Sequence, residues 1–274
     1  MNRLFVAYKP TGISSNFYLS RLKRKYGEKK AGFSGTLDPF AQGTLIIGMG
    51  SHTKLFRFLD KTPKKYRATL WLGAKSDSLD TEMIEYVDIL EEFSHSKILD
   101  AVKSLEGELE YEPPIFSAKQ INGKRAYDLA RAGIKFELNK INSTIHDISL
   151  INYCHPFVTF ETTVSEGTYM RSLGRIIAQL LGVEFGSLSA LERLNEGQFF
   201  FDGEKQLDIK KSLNMKQNFY HGDSENLKYG RVLALEDLEI KNDGYYWLDS
   251  GDTISIICVK DKSIKYELNK VSVC

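Results

Sequence analysis

Apolar residues recur along the chain at two different periods, and each period predicts a different element. Residues 66–72 alternate and are rich in aromatic and β-favouring side chains, and residues 3–8, 141–153 and 157–164 are similar strand-like runs. A period of two places alternate side chains on one face of a sheet. These four segments are therefore predicted to be β-strands.

Helices are predicted where apolar residues recur every three or four positions behind a capping residue. The predicted helices are a basic one from Ser14 or Ser15 to about Tyr26, one capped by Ser94 and closed by Gly107, a short one over 125–132 that stops at Gly133, and one capped by Thr168 and ended by Gly182.

The composition changes towards the C-terminus. Residues 205–228 are polar and predict a linker, and residues 229–274 predict short strands at 231–235, 245–248 and 253–259. Strands and helices do not alternate regularly, as they would in a parallel sheet. The expected fold class is α+β: a mixed, largely antiparallel sheet with flanking helices and loop insertions, plus a short β-rich C-terminal appendage.

Composition narrows the class of protein. The 274 residues are 42% hydrophobic, carry a net charge of +1 and contain no apolar run that approaches the roughly 20 residues needed to span a bilayer. No signal-peptide pattern is present, so a cytoplasmic location is expected. Cys154, Cys258 and Cys274 are scattered, which argues against a disulfide framework and a zinc site. The sequence also contains no phosphate-binding loop, dinucleotide fingerprint or His-Glu-x-x-His motif, so nothing indicates a nucleotide cofactor or a metal.

One carboxylate has unusual neighbours. Asp38 lies between Leu37 and Pro39 in a glycine-flanked turn, with Phe33 and Phe40 close by in the sequence. An isolated carboxylate among apolar side chains is costly unless something pairs it or uses it. Asp38 is therefore the first candidate for a catalytic group.

A cation and two aromatic residues are the next candidates. Arg171 lies in the first turn of its predicted helix, where the macrodipole disfavours positive charge, so an acidic partner is expected. A bidentate pair with Asp38 would meet that need, although Arg171 could instead reach solvent or Glu166. Tyr66 and Tyr169 are flat rings on which an extruded base could stack, although both could equally be ordinary core residues.

Basic residues cluster on both sides of Asp38 in the sequence. One cluster lies within residues 21–30 and the other within residues 61–67, and residues 113–127 combine basic and aromatic side chains. Such runs can be solvated helix faces, but local basic patches on a neutral protein can also bind phosphates. Two patches that flank the candidate site favour nucleic acid as a partner.

Taken together, these segments resemble the TruB family of bacterial tRNA pseudouridine synthases, which isomerise uridine 55 in the T-loop. Five blocks match in order: Lys9-Pro-Thr-Gly12 with Ser14 and Ser15; Gly35-Thr-Leu-Asp-Pro39 with Gly43; Lys65-Tyr66 through Gly73 and Asp77 to Asp80; Pro113 to Arg131; and Gly167-Thr-Tyr-Met-Arg171 through Leu191-Glu-Arg193. Together the five blocks cover most of residues 3–200 in the family's order, and this combination is far more specific for the family than any single block.

The resemblance implies a role for each matching residue. Asp38 would be the catalytic carboxylate, Tyr66 the ring against the target uracil and Arg171 the salt-bridge partner of Asp38. The expected substrate-binding residues are Phe33, Tyr169, Leu191, Lys9, Pro10, Lys119, Lys124 and Arg125. Phe33 stands where the family usually has His, so it can stack but cannot hydrogen-bond a phosphate.

The resemblance also implies an organisation and a partner. Residues 1–204 would form a catalytic domain of the pseudouridine synthase type with an RNA-clamping loop at about 110–133, and residues 229–274 a truncated PUA-like region. The implied partner is tRNA, with no cofactor, no metal, no membrane and no protein partner, and a monomer is expected. The alternatives are a non-catalytic RNA-binding or tRNA-folding module, an RNA-guided relative that acts on another RNA, and a nucleoside hydrolase or glycosidase, which usually needs a second carboxylate.

Overall fold

A computed structural model describes residues 1–117, 119–121 and 123–273. The strands are β1 (Arg3–Lys9), β2 (Ala31–Phe33), β3 (Gln42–Met49), β4 (Lys64–Leu72), β5 (Ala74–Ser76), β6 (Ile84–Val87), β7 (Gly107–Tyr111), β8 (Gln120–Ile121), β9 (Lys124–Arg125), β10 (Ile141–Cys154), β11 (Phe157–Val164), β12 (Gly186–Glu196), β13 (Phe199–Phe200), β14 (Lys216–Asn218), β15 (Gly244–Asp249), β16 (Thr253–Lys260) and β17 (Ser263–Ser272). The α-helices are α1 (Ser15–Tyr26), α2 (His95–Lys103), α3 (Ala126–Arg131), α4 (Met170–Leu180), α5 (Ile209–Ser212) and α6 (Ser224–Tyr229), and short 3-10 helices span Gly50–Phe58, Thr81–Met83 and Leu235–Asp237.

A large sheet forms the centre of the molecule. Within the described residues it has nine strands, with the order β1-β3-β12-β4-β11-β10-β7, while β2 also pairs with β3 and β13 with β12. The neighbours are antiparallel except β3 and β12, which run parallel where Gly43 lies opposite Arg193. The predicted mixed, largely antiparallel sheet is confirmed. The parallel pairing brings β12 to the end of the loop that carries Asp38.

Helices cover the sheet through their apolar stripes. Leu173 and Ile177 of α4 and Ile98 and Val102 of α2 are fully buried in one cluster with the side chains of β4 and β11. On α1, Leu19 packs with apolar residues of β1 and β3 in a second cluster. The first turns of both helices contact the loop that leads into β3, through Ser15 of α1 and Arg171 of α4.

The segment predicted to be a linker is folded. Residues 205–228 contain α5, β14 and α6, and β14 pairs with β15. Ile209 is completely buried in a cluster that joins residues of β1 and β3 to residues of β15 and β16. The linker prediction is wrong because widely spaced apolar residues dock onto the large sheet while the intervening lysines face outward.

The C-terminal region forms a second sheet, with the order β14-β15-β16-β17 within the described residues. The strands predicted at 245–248 and 253–259 are present, but residues 231–235 do not form a strand and β17 was not predicted. Thr168 does not cap α4, because its hydroxyl donates to the Ser165 carbonyl instead.

Two other sequence features can be placed on the fold. Cys154 and Cys258 are free, and Cys274 lies outside the described residues. None of the helices in the part of the chain that the structure describes is both long and apolar enough to cross a bilayer.

Candidate active site

The loop that carries Asp38 connects β2 to β3 and is fastened to the start of α1. Ser15 Oγ accepts a hydrogen bond from the Leu37 backbone N–H at 3.0 Å and donates one to the Leu37 carbonyl oxygen at 2.9 Å. Ser15 is 1% exposed and Leu37 is 4% exposed, so both backbone groups would lack partners in a dry environment without this hydroxyl. One side chain thus fixes the peptide next to the carboxylate.

A buried lysine holds the C-terminal side of the same loop. Lys9 Nζ donates to the carbonyl oxygens of Ile13 at 2.7 Å, Pro10 at 2.9 Å and Pro39 at 3.4 Å. Burial lowers the pKa of Lys9 to about 8, although the nearby Asp38 opposes that shift. Neither Lys9 nor Pro10 is among the described residues that line the cavities around Asp38. The geometry makes them supports of the loop.

A buried arginine holds the N-terminal side of the loop. Arg193 donates from Nη2 to the Gly35 carbonyl at 3.0 Å and from Nε to the Thr44 carbonyl at 2.8 Å, and it is ion-paired with Glu196 at 2.7 Å. Gly43, with φ of +115°, lies against the Arg193 backbone, and a Cβ there would be 2.3 Å from the Arg193 carbonyl oxygen. Sequence reasoning identified Arg193 only as part of a motif and missed this contact.

Arg171 meets the catalytic candidate directly. Its Nε atom lies 3.0 Å from Oδ2 of Asp38. The contact is through one nitrogen and not bidentate, because Nη1 donates to the Ser78 carbonyl at 2.7 Å and lies 3.4 Å from Asp80 Oδ2, while Nη2 donates to the Phe116 carbonyl at 2.8 Å. All three guanidinium nitrogens are therefore engaged, and they tie Asp38 both to the segment with Ser78 and Asp80 and to Phe116 of the predicted clamp.

Asp80 is the acidic neighbour that the local sequence did not reveal. The sequence suggested turn and cap hydrogen bonding for it, and its Oδ1 does accept from the Glu82 backbone N–H at 3.0 Å. The same side chain also shares Arg171 with Asp38. Because this contact joins residues far apart in sequence, no local pattern signals it.

The surroundings of the Asp38 carboxyl disfavour its ionised form. Burial raises its pKa, and the negative charge of Asp80 adds to that effect, whereas Arg171 and Lys9 lower it. The net direction is upward from the ordinary value of 3.8. A carboxylate with a raised pKa is a stronger base than an exposed aspartate.

A cavity of about 330 Å³, lined by apolar and charged side chains, opens at this carboxyl. Leu37, Tyr66, Tyr169 and Leu191 line it together with Asp38. Tyr66 is 8% exposed, and burial raises the pKa of its hydroxyl. The structure thus brings Tyr66, Tyr169 and Leu191 to one cavity around Asp38 and Arg171, at a size typical of small-ligand sites.

A second cavity, of about 240 Å³, reaches Asp38 and Arg171 from the other side. Phe116, Tyr127 and Arg131 line its outer wall. All three belong to the predicted clamp, so that segment lies directly against the candidate site.

The remaining predicted residues lie further out. Phe33 pairs with Ile47 across β2 and β3 and packs against the apolar cluster beneath α1, and it is absent from the described lining of either cavity. Lys119 donates to the Asn139 carbonyl at 3.3 Å. Lys124 and Arg125 form the exposed strand β9 at the tip of the predicted clamp.

Comparisons with known proteins identify the family. Residues 23–170 match the TruB family pseudouridylate synthase N-terminal domain. The chain belongs to the TruB family. It is 76% identical to the tRNA pseudouridine synthase B of Sulfurimonas denitrificans over 99% of both chains, and 50% identical to that of Campylobacter concisus over the full length of both.

Solved structures share the fold of this TruB family member at low sequence identity. A chain in the crystal structure of a Cbf5-Nop10-Gar1 complex matches 98% of this chain and 84% of its own length, with a TM-score of 0.69 and 21% identity. A chain in an H/ACA RNP bound to a substrate RNA that contains 2′-deoxyuridine matches with a TM-score of 0.65 and 18% identity, over 99% of this chain and 84% of that one.

In the described residues of the TruB-family chain, no three His, Cys, Asp or Glu side chains gather in a way that could hold a metal ion.

Proposed function

We propose that this chain isomerises uridine 55 in the T-loop of tRNA to pseudouridine, with Asp38 as the catalytic residue. The observation that carries the proposal is the contact between Asp38 and Arg171 at the floor of a cavity walled by Tyr66 and Leu191. The reaction detaches uracil from C1′, turns it and rejoins it through C5, so every atom stays in the site. One reactive carboxylate and a cavity whose walls include aromatic and aliphatic side chains meet those needs.

Two routes are chemically open to Asp38. As a nucleophile it attacks C1′ while the bond to N1 breaks; C5 of the turned uracil then attacks C1′ while the ester bond to Asp38 breaks, and C5 loses its proton while N1 gains one. As a base it removes the C2′ proton while the same bond breaks, which leaves a C1′–C2′ double bond; C5 then bonds to C1′, the proton returns to C2′, and C5 loses its proton while N1 gains one. In both routes Arg171 holds the carboxyl in place, Tyr66 stacks on the uracil, and Leu191 and Tyr169 keep it from leaving.

The target base must leave the stacked T-loop, at an unstacking cost of about a few kcal/mol. Contacts from Lys119, Lys124 and Arg125 to RNA phosphates would offset that cost. We assign these residues to the clamp, and Phe33 to support of the Asp38 loop from beneath. We further propose that residues 1–204 are the catalytic unit and that the C-terminal sheet acts as a shortened PUA-like region.

The geometry of the site also distinguishes isomerisation from the alternative reaction, hydrolysis of the glycosidic bond. Asp80 is held by Arg171, and Ser78 donates to it at 2.5 Å, so it is not free to activate water. Glu166, at the other end of the cavity, is paired with two lysines. Isomerisation by a single carboxylate therefore fits this geometry better than hydrolysis by two.

The deciding experiment is to map pseudouridine in a tRNA transcript after incubation with the purified protein alone. We expect full conversion at uridine 55 and none in a transcript with cytidine at that position. Binding without conversion would favour the non-catalytic module, and release of free uracil would favour a hydrolase. Activity of the purified protein with no other protein added would support the absence of a required protein partner. The expected monomer and the expected cytoplasmic location stay part of the proposal.

A further inference from the structure

The end of the cavity away from Arg171 carries an unusual cluster of charge. Lys61 Nζ and Lys64 Nζ lie 3.4 Å and 3.5 Å from the same oxygen, Oε1 of Glu166. Lys64, Glu166 and Arg193 line the cavity itself. A single anionic oxygen shared by two ammonium groups is the arrangement that a phosphate oxygen would adopt there.

Lys64 is held in place independently of Glu166. Its side chain is 7% exposed and lies 3.8 Å from Glu196, which is completely buried and is itself paired with Arg193. Removal of Glu166 would thus leave Lys64 still facing the cavity. Lys64 is a pre-organised cation, and pre-organisation strengthens the binding of an incoming anion.

Glu166 is the most exposed member of the cluster. Half of its side chain is exposed (51%), and it lies in the turn between β11 and α4. Gly167 follows with φ of +87°, and no heavy atom lies within 4 Å of where its Cβ would be. Burial opposes ionisation of Glu166, but the two lysines prevail and its pKa lies below the ordinary value. It is therefore a charged side chain with open space beside it.

We propose that Lys61 and Lys64 form a phosphate subsite for the RNA backbone beside the extruded nucleotide, and that Glu166 occupies this subsite in the free protein and is displaced when RNA binds. The inference rests on the proposed function, because the subsite opens into the same cavity as Asp38. Glu166 would therefore compete electrostatically with any ligand of the two lysines. An RNA chain must outcompete Glu166 for the lysines, whereas a free base without a phosphate cannot.

The test measures tRNA affinity, which does not depend on isomerisation. Glu166→Gln removes the competing charge, and we expect its Kd to fall at least threefold at low salt. The matched control is Glu161→Gln, because Glu161 also pairs with two cations, Lys65 at 2.8 Å and Arg67 at 2.5 Å, but lies outside the cavity lining among the described residues. The control should change Kd by less than twofold.

The salt dependence provides a second readout. Lys61→Met removes one phosphate contact, so the slope of log K against log salt should become shallower by about 0.7. We choose Lys61 because 23% of its side chain is exposed, whereas replacement of buried Lys64 would leave Glu196 poorly paired.

Three outcomes would overturn the subsite: no tightening in Glu166→Gln, equal tightening in Glu161→Gln, or an unchanged salt slope in Lys61→Met. If the wild type converts uridine 55 while any of these occurs, the subsite fails and the proposed function stands. A wild type that binds tRNA without converting it would refute the proposed function alone.

Discussion

Arg171 contacts Asp38 through Nε alone, at 3.0 Å, and its two terminal nitrogens bind the segments on either side. The guanidinium thereby sets the position of the carboxyl relative to Ser78 and Phe116. Each of the following expectations tests part of this arrangement.

Asp38→Asn should abolish pseudouridine formation and leave tRNA binding within about threefold of the wild type, because the amide is isosteric but neither attacks C1′ nor takes a proton. A tritium-release assay on labelled tRNA, together with a filter-binding assay, measures both quantities. Appreciable residual turnover would refute the catalytic role of Asp38.

Arg171→Lys should reduce the single-turnover rate by about 100-fold, because a point charge cannot replace a planar fork that meets several oxygens at once. Arg175→Lys is the matched control, since Arg175 lies one turn further along α4 and, among the described residues, makes only a 3.4 Å contact with the Glu112 carbonyl. Unchanged kinetics in Arg171→Lys would remove the proposed function of the ion pair.

The rate should depend on pH through Asp38. Its pKa is raised, first by burial and then by Asp80, and only the ionised form reacts, so the rate should fall as the pH drops through a value above that of an ordinary aspartate. Asp80→Asn removes the negative neighbour, lowers the pKa of Asp38 and should move the acid limb to lower pH. Single-turnover rates between about pH 4 and 8 measure the shift.

Asp77→Asn provides the control for that profile, because Asp77 is exposed three residues earlier in the chain. A limb that stays in place in Asp80→Asn, or moves upward, contradicts the electrostatic assignment.

Ser15→Ala should lower both stability and rate. It leaves two backbone groups of Leu37 unsatisfied in a buried loop, which costs about 1–3 kcal/mol of unfolding free energy per group. Ser20→Ala is the comparison, because Ser20 is exposed and its hydroxyl donates to the Asn16 carbonyl within α1. Denaturant unfolding and kcat at saturating tRNA give the two readouts, and equal behaviour of the variants would exclude the role of Ser15 in positioning the loop.

Ile209→Ala should destabilise the protein by about 2–5 kcal/mol, as expected for a large-to-small change in a packed core. A residue in a true linker would show almost no effect. Val232→Ala, at a position that is 91% exposed, is the matched control. Urea unfolding followed by tryptophan fluorescence measures the difference.

The sequence was sufficient to predict β1, β4, β10 and β11 of the large sheet and its main helices, because these depend on local periodicity, but it did not predict β3 and β12. Asp38 could be selected as a candidate from the chemistry of its near neighbours. Arg171 could be proposed as a partner from its unfavourable place in the first turn of a helix. The contacts of Ser15 and Arg193 with the Asp38 loop could not be predicted, because they join residues far apart in sequence. The parallel pairing of β3 with β12 is equally non-local.

The errors also have physical causes. Residues 205–228 were predicted to be a linker because polar residues outnumber apolar ones there, yet Ile209 and Leu213 are buried. Thr168 satisfies the usual capping preference, but its hydroxyl donates to the Ser165 carbonyl within the preceding turn. In both cases tertiary packing outweighed local composition.

The apolar cluster that joins Leu4 and Ile46 to Trp247 and Ile256 limits how this protein can change. Because both sheets contribute side chains to it, a C-terminal region from a distant relative could not be grafted here without refitting the first strand. We expect variation on the two sides of this seam to be correlated. Substitutions in this cluster should therefore occur together. Asp38 lies outside it, next to Leu37 of the cluster under α4.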